Sequence, residues 1–226
     1  MPTLDWLKNE FRYGYESGDV LSIFPDKVRK NEEIAAGGSY KKVFKVGASA
    51  YLKPHYKILE IGCGKGTWTR ALLKKIPKGE LTAIDFQEAS SWLRPEIYKH
   101  RLKVIQIFDN SFKELPDNYF DFFWSFGVLC HNNSENISII LKNSLSKMKT
   151  GGIAVHQYGA WEKLERFGWE RGRVPINFKD KPDNEIWWPR NTIYNMKNIS
   201  EQTGWNVICP DLNILQRDGI IILQKP

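Results

Sequence analysis

Short apolar runs closed by a polar residue recur along the middle of this chain. They are separated by stretches whose apolar positions return every three or four residues. The runs cover residues 57–61, 80–84, 103–108, 119–126 and 153–156. The fourth is almost continuously apolar and aromatic, as expected of a parallel strand covered on both faces. After it, Ile137, Ile140, Leu141, Leu145 and Met148 share one helical stripe. That spacing predicts a helix over 134–148, capped by Ser134 and stopped by Thr150-Gly151-Gly152. Further on, Asn191-Thr192 caps a short helix to about residue 203, and two last runs, 205–209 and 219–223, are joined by a turn. Strands alternating with helices predict an α/β fold: a doubly wound, mostly parallel seven-stranded sheet with a C-terminal antiparallel hairpin strand.

Two stretches stand outside this alternation. Over residues 1–53 there is no strand pattern. Leu4, Trp6, Leu7 and Phe11 have helical spacing, and aromatics recur at Tyr13, Tyr15, Phe24, Tyr40, Phe44 and Tyr51. We expect a helical cap that also acts as a lid, with residues 54–226 forming the main domain. The second stretch is an insertion over 158–190, where Trp161, Trp169, Trp187 and Trp188 interleave with Arg166, Arg171, Arg173 and Arg190. A loop this long in a compact domain is usually functional. It leaves the carboxyl end of a strand, the edge where open α/β sheets bind ligands. Trp161, Trp187, Trp188 and Arg190 are therefore the candidate substrate-binding residues. A cation beside paired tryptophans suits a ring-bearing or anionic partner.

The chemistry concentrates where the first run ends. Glu60-Ile61-Gly62-Cys63-Gly64-Lys65-Gly66 places three glycines at alternate positions, just before a segment of helical periodicity. Glycine there permits a sharp turn and close approach to a ligand, and the G-x-G-x-G spacing is one residue shorter than the dinucleotide fingerprint. Asp85 closes the second run roughly 20 residues later, where a nucleotide-binding α/β unit places an acid for ribose hydroxyls. Asp109 and Asn110 close the third run.

With Glu60 ahead of the glycines, residues 57–73 resemble motif I of the class I S-adenosylmethionine-dependent methyltransferases. Residues 115–131 resemble the motif IV region of the same family, and the similarity extends over about 56–157. The resemblance implies S-adenosylmethionine as cofactor, S-adenosylhomocysteine as product and no metal. It also implies a cofactor site: Glu60, Gly62, Cys63, Gly64 and Gly66 at the amino-acid end, Asp85 at the ribose and Phe86 on the adenine face. Asp109 or Asn110 would meet the adenine amino group, and Ser125 would complete the set.

Methyl transfer to oxygen needs an aligned acceptor and, as a rule, a general base titrating near neutrality. His131 and His156 both fall at the ligand edge of the sheet, whereas His55 and His100 fall at the opposite ends of their strands. We expect His131 to be the base, His156 its partner and Tyr158 a positioning hydrogen-bonder. The chain lacks an Asn/Asp-Pro-Pro-Tyr/Phe motif after the fourth run and lacks a Pro-Cys nucleophile, and Cys130 reads as an apolar filler. These features favour a small-molecule acceptor, such as a sugar, a nucleotide sugar or another metabolite.

Composition changes this picture little. The 226 residues suffice for one substantial core. A net charge of +7 raises the question of nucleic acid, but the basic residues are scattered among acids. A tRNA, rRNA or protein methyltransferase and a non-catalytic nucleotide-binding module are the alternatives. Three widely spaced cysteines fit a reducing cytoplasm, and no run is long enough to span a membrane. The oligomeric state is left open.

Overall fold

A computed structural model describes residues 15–226; the helical spacing read at Leu4, Trp6, Leu7 and Phe11 lies outside them. The sheet has seven strands: β1 Lys57–Ile61, β2 Glu80–Asp85, β3 Leu102–Gln106, β4 Phe120–Ser125, β5 Met148–Gly159, β6 Asn206–Cys209 and β7 Asp218–Gln224. Their order is β3-β2-β1-β4-β5-β7-β6, and β7 runs antiparallel to both β5 and β6. The helices are α1 Lys27–Ala36, α2 Tyr40–Val43, α3 Thr67–Lys75, α4 Ser90–Leu93, α5 Ser134–Leu145, α6 Trp161–Phe167 and α7 Ile193–Gln202.

Strand β4 sits at the centre, and its sequence explains why. Phe122 and Trp124 pack on one face with Tyr40, Trp68 and Leu72, while Phe123 packs on the other with Ile137, Leu141 and Met196. Each such buried side chain contributes about 1.5–3 kcal/mol. The strand's one charge, Asp121, lies near its start, accepting from Lys57 N–H at 2.8 Å and Lys149 Nζ at 2.6 Å.

Two boundaries differ from the sequence expectation. Helix α5 ends at Leu145 and is capped by Asn133, whose side chain accepts from Asn136 N–H. Thr150-Gly151-Gly152 lies inside β5, between Met148, which pairs with Phe120 of β4, and Ile153, which pairs with Phe122 of β4 and Gln224 of β7; Gly151 and Gly152 exchange backbone hydrogen bonds with Lys225. The Thr192 cap of α7 is found as expected.

The segment before β1 is bonded to the rest of the chain at two places, α3 and the residues leading into β7. Ser17 Oγ accepts from Trp68 Nε1 at 3.1 Å, and the Arg217 and Gln216 N–H groups both donate to Ala36 O at 3.1 Å. Within 158–190, Leu164, Trp169, Val174, Phe178, Ile186 and Trp188 form a small core together with Cys130. Among the described residues, no helix is long and apolar enough to cross a membrane, and no three His, Cys, Asp or Glu side chains gather as a metal site.

Candidate active site

Past β1 the chain turns through Gly62, Gly64 and Gly66 with φ of 70°, 48° and 78°. A Cβ on Gly62 would lie 2.2 Å from Val128 Cγ2, and one on Gly64 would lie 2.6 Å from Tyr15 O. Both conformation and space therefore demand glycine at these two positions. Gly66 begins α3 with no side-chain cap. Over the loop lies the cap, since Tyr15 O accepts from Lys65 N–H at 3.0 Å.

Asp85 braces this loop from the end of β2. Its Oδ2 accepts from Gly64 N–H at 3.0 Å and its Oδ1 from Gln87 N–H at 2.9 Å, with Cys63 Sγ 3.9 Å from Oδ2. Burial pushes the Asp85 carboxyl above its ordinary range, against the pull of those N–H groups. Glu60 is fully buried, and burial raises its carboxyl to about 8, with the Asp85 charge adding and Thr69 and Arg70 opposing. Among the described residues its Oε2 has no hydrogen-bond partner, and neither has the buried Oδ1 of Asn110. One orphaned acceptor, Asn110 Oδ1, thus stands at the cavity formed by Gly62, Gly64, Asp85, Phe86 and Asn110, whereas Glu60, Cys63 and Gly66 do not line it.

A second cavity, of about 610 Å³, abuts the first and shares Tyr15, Phe126, Gly127 and His131 with it. Its other walls include Glu32, Tyr40, Gln157, Arg173, Trp187 and Trp188. The size falls within the range of small-molecule sites. Tyr15 donates its hydroxyl to Glu32 Oε2 at 3.0 Å. Gln157 accepts from Gly127 N–H at 2.9 Å and donates to the buried Asp218 at 2.8 Å.

His131 stands at the junction, at the end of a 3-10 turn Leu129–His131. Its Nδ1 is 2.7 Å from Trp187 O. A carbonyl only accepts, so the proton sits on Nδ1 and the lone pair on Nε2. Burial lowers the imidazole pKa to about 4, opposed by the Trp187 carbonyl, and the ring stays neutral at ordinary pH.

Other residues singled out in the sequence are placed elsewhere. His156 is expected beside His131, but the alternation along β5 turns it to the opposite face of the sheet. There it is fully buried, bonded through Nδ1 to Ser125 Oγ at 2.8 Å and edge-on to Phe123. Burial lowers its pKa to about 3. Tyr158 shares that face and donates to Pro210 O at 2.8 Å. None of Ser125, His156 and Tyr158 lines either cavity. Asp109 is exposed, bonded to Ser111 N–H and Lys113, and its neighbour Asn110 is the one at the cavity.

Within the insertion, Trp187 and Trp188 line the second cavity while Trp161 and Arg190 do not. Arg190 pairs with Asp183, donates to the carbonyls of Phe178, Lys179 and Lys181, and stacks on Trp161 at 4.7 Å. The cations at the cavity are Arg173 and Arg217 instead. Glu32, Gln157 and Arg217 carry no local motif. For Gln157 the available signal is the period of two along β5, which separates it from His156.

Residues 58–152 match a family model described as a methyltransferase domain. No curated protein sequence matches the chain. Solved structures share the fold. A SAM-dependent methyltransferase from Aquifex aeolicus is 21% identical, covering 91% of this chain and 100% of its own, with a TM-score of 0.62. A SAM-dependent methyltransferase from Methanosarcina mazei is 18% identical over 78% of this chain and 95% of its own, with a TM-score of 0.58. Human N-acetylserotonin methyltransferase, solved with SAM, is 13% identical over 87% of this chain and 56% of its own, with a TM-score of 0.53.

Proposed function

The chain carries a class I S-adenosylmethionine-dependent methyltransferase domain, and we propose that its acceptor is a small molecule methylated at oxygen. The observation that supports this reading is His131, a residue shared by the two cavities whose Nδ1 is held by the Trp187 carbonyl. S-adenosylmethionine, when bound, supplies an electrophilic sulfonium methyl group.

The residues at the first cavity fit that cofactor. Asp85 would hold the ribose hydroxyls, Phe86 would pack on the adenine, and the unpartnered Asn110 Oδ1 would accept from the adenine amino group. Glu60, whose Oε2 has no partner among the described residues, does not line this cavity, and its place at the ammonium of the amino-acid end rests on the motif I resemblance. Cys63 and Gly66 shape the turn, and Tyr15 with the rest of the cap acts as the lid.

At the second cavity, Trp187 and Trp188 flank the acceptor. His131 would accept the acceptor's hydroxyl hydrogen bond through Nε2 and take its proton, with the Trp187 carbonyl holding the tautomer; the methyl group would leave the sulfonium sulfur for that oxygen, with S-adenosylhomocysteine as the leaving group. Alignment in a dry pocket lowers the barrier further, since orientation alone supplies ~7–11 kcal/mol. An amine acceptor with a free lone pair has less need of such a base. Ser125, His156 and Tyr158 act through the fold: they fix the ends of β4 and β5 from the opposite face. Trp161 and Arg190 support the insertion that carries Trp187 and Trp188.

The test is incubation with isotope-labelled cofactor and a metabolite extract, followed by mass spectrometry of the methylated products. An O-methylated metabolite is expected; label found only in RNA or protein would sink the proposal. On the acceptor so found, His131→Gln should lower kcat by ~10²–10⁴-fold with cofactor affinity intact. Because the His131 pKa is about 4, wild-type kcat should hold level down to about pH 5 before it falls.

A further inference from the structure

The acceptor cavity is charged unevenly. Its walls carry Glu32, Arg173 and Arg217. Arg217 has its charge matched already: Nε and an Nη donate to the two oxygens of Asp218 at 2.8 and 2.9 Å, and the other Nη donates to Gly172 O at 2.9 Å. Its guanidinium plane lies 4.6 Å from the Trp188 ring, so it forms part of a flat wall. Glu32 takes the Tyr15 hydroxyl.

Arg173 is different. It lines the cavity while its side chain is exposed, and its guanidinium makes no hydrogen bond or ion pair among the described residues. Its backbone is held firmly all the same. It has a φ of 55° and donates its N–H to Glu170 O at 2.9 Å. It follows Gly172, whose carbonyl is gripped by Arg217 and where a Cβ would meet Leu164 Cδ1 at 2.7 Å. The insertion therefore presents one unneutralised guanidinium at the solvent side of a cavity walled by Trp187, Trp188, Tyr40 and Phe126.

We propose that the acceptor is a flat, ring-bearing monocarboxylate and that Arg173 is the residue that selects it. A guanidinium matches a carboxylate through two parallel N–H···O bonds. One guanidinium without an ion-pair partner matches one carboxylate, whereas a phosphate dianion or a nucleotide diphosphate would be left under-neutralised; Glu32 on the same wall opposes either anion, and the more highly charged one more strongly. The aromatic walls take the ring by edge and face contacts. The inference rests on the small-molecule reading above and specifies its substrate class.

Calorimetry on the full chain saturated with S-adenosylhomocysteine tests it, with salicylate, salicylamide and phenyl phosphate as probes at low salt. Salicylate should bind at least ~10-fold more tightly than the neutral amide, as expected for a charge-assisted pair. That preference should vanish in Arg173→Gln and survive in part in Arg173→Lys, with the affinity for S-adenosylhomocysteine unchanged in both. Equal binding of acid and amide, tighter binding of phenyl phosphate, or an undiminished preference in Arg173→Gln would each overturn the assignment. If S-adenosylhomocysteine binds and none of the probes does, the carboxylate proposal fails and the cofactor reading stands. If S-adenosylhomocysteine itself does not bind, the underlying reading fails.

Discussion

The two cavities touch at four residues and are built on opposite principles. The first is built around a backbone turn, held by positive φ at Gly62 and Gly64 and braced by the Asp85 carboxylate, with the Phe86 and Asn110 side chains beside it. The wall around Glu32, Gln157, Arg173 and Trp188 is side chain, drawn from the cap, β5 and the insertion. A backbone wall presents the same groups whatever the neighbouring side chains are, which suits a constant cofactor. A side-chain wall changes with every substitution, which suits a variable acceptor.

Substitutions should separate the two walls. The largest effect is expected from Gly64→Val, which needs a left-handed conformation and places a Cβ about 2.6 Å from Tyr15 O. S-adenosylhomocysteine binding should be lost in calorimetry, and retained binding would count against the glycine-loop site. Asp85→Ala comes next: removing a carboxylate that braces the loop should weaken that affinity roughly 10–100-fold. An unaltered Kd in a folded variant would remove the ribose assignment.

On the acceptor side, Trp187→Ala should raise the acceptor KM about 10-fold while sparing the cofactor. Arg190→Ala should behave otherwise. It deprives three loop carbonyls of their donor, so a lower Tm is expected, corresponding to about 1–3 kcal/mol, with a smaller change in KM. If Arg190→Ala changed KM at constant Tm, Arg190 would belong to the acceptor site after all.

A last expected effect is one of pH. His156 has a folded pKa of about 3 against 6.5 in an unfolded chain. Below pH 6.5 the unfolded state therefore takes up a proton that the folded state refuses, and stability falls as pH drops from about 6.5 towards 3. The slope is on the order of 1.4 kcal/mol per pH unit for one such group. Melting curves of His156→Gln should be flatter over pH 4–6 than those of the wild type. Parallel curves would mean that His156 reaches solvent.

Much of the fold was legible because its signals are local. The order of strands and helices, the glycine turn and the acid at the end of β2 each depend on residues within one strand–turn–helix unit. The limits of α5 were less so: Thr150-Gly151-Gly152 resembles a helix stop, yet backbone bonds with Lys225, just past β7, draw it into a strand. His131 could be placed at the ligand edge from its position after β4. Its proton could not be assigned, because the Trp187 carbonyl that fixes it lies 56 residues away.

The sequence by itself determined the backbone half of this protein, the α/β sheet and the turn at Gly62–Gly64. Positive φ and apolar periodicity are properties of short segments, and no distant partner is needed to enforce them. Only the tertiary structure decided which side chains share the acceptor cavity. The pleat of β5 turned His156 away and Gln157 inward, Asp183 and three carbonyls claimed Arg190, and Asp218 neutralised Arg217. Arg173 remained as the cation facing the cavity. A charge is available for a ligand only when no nearer group has taken it, and which groups are near is set by long-range packing.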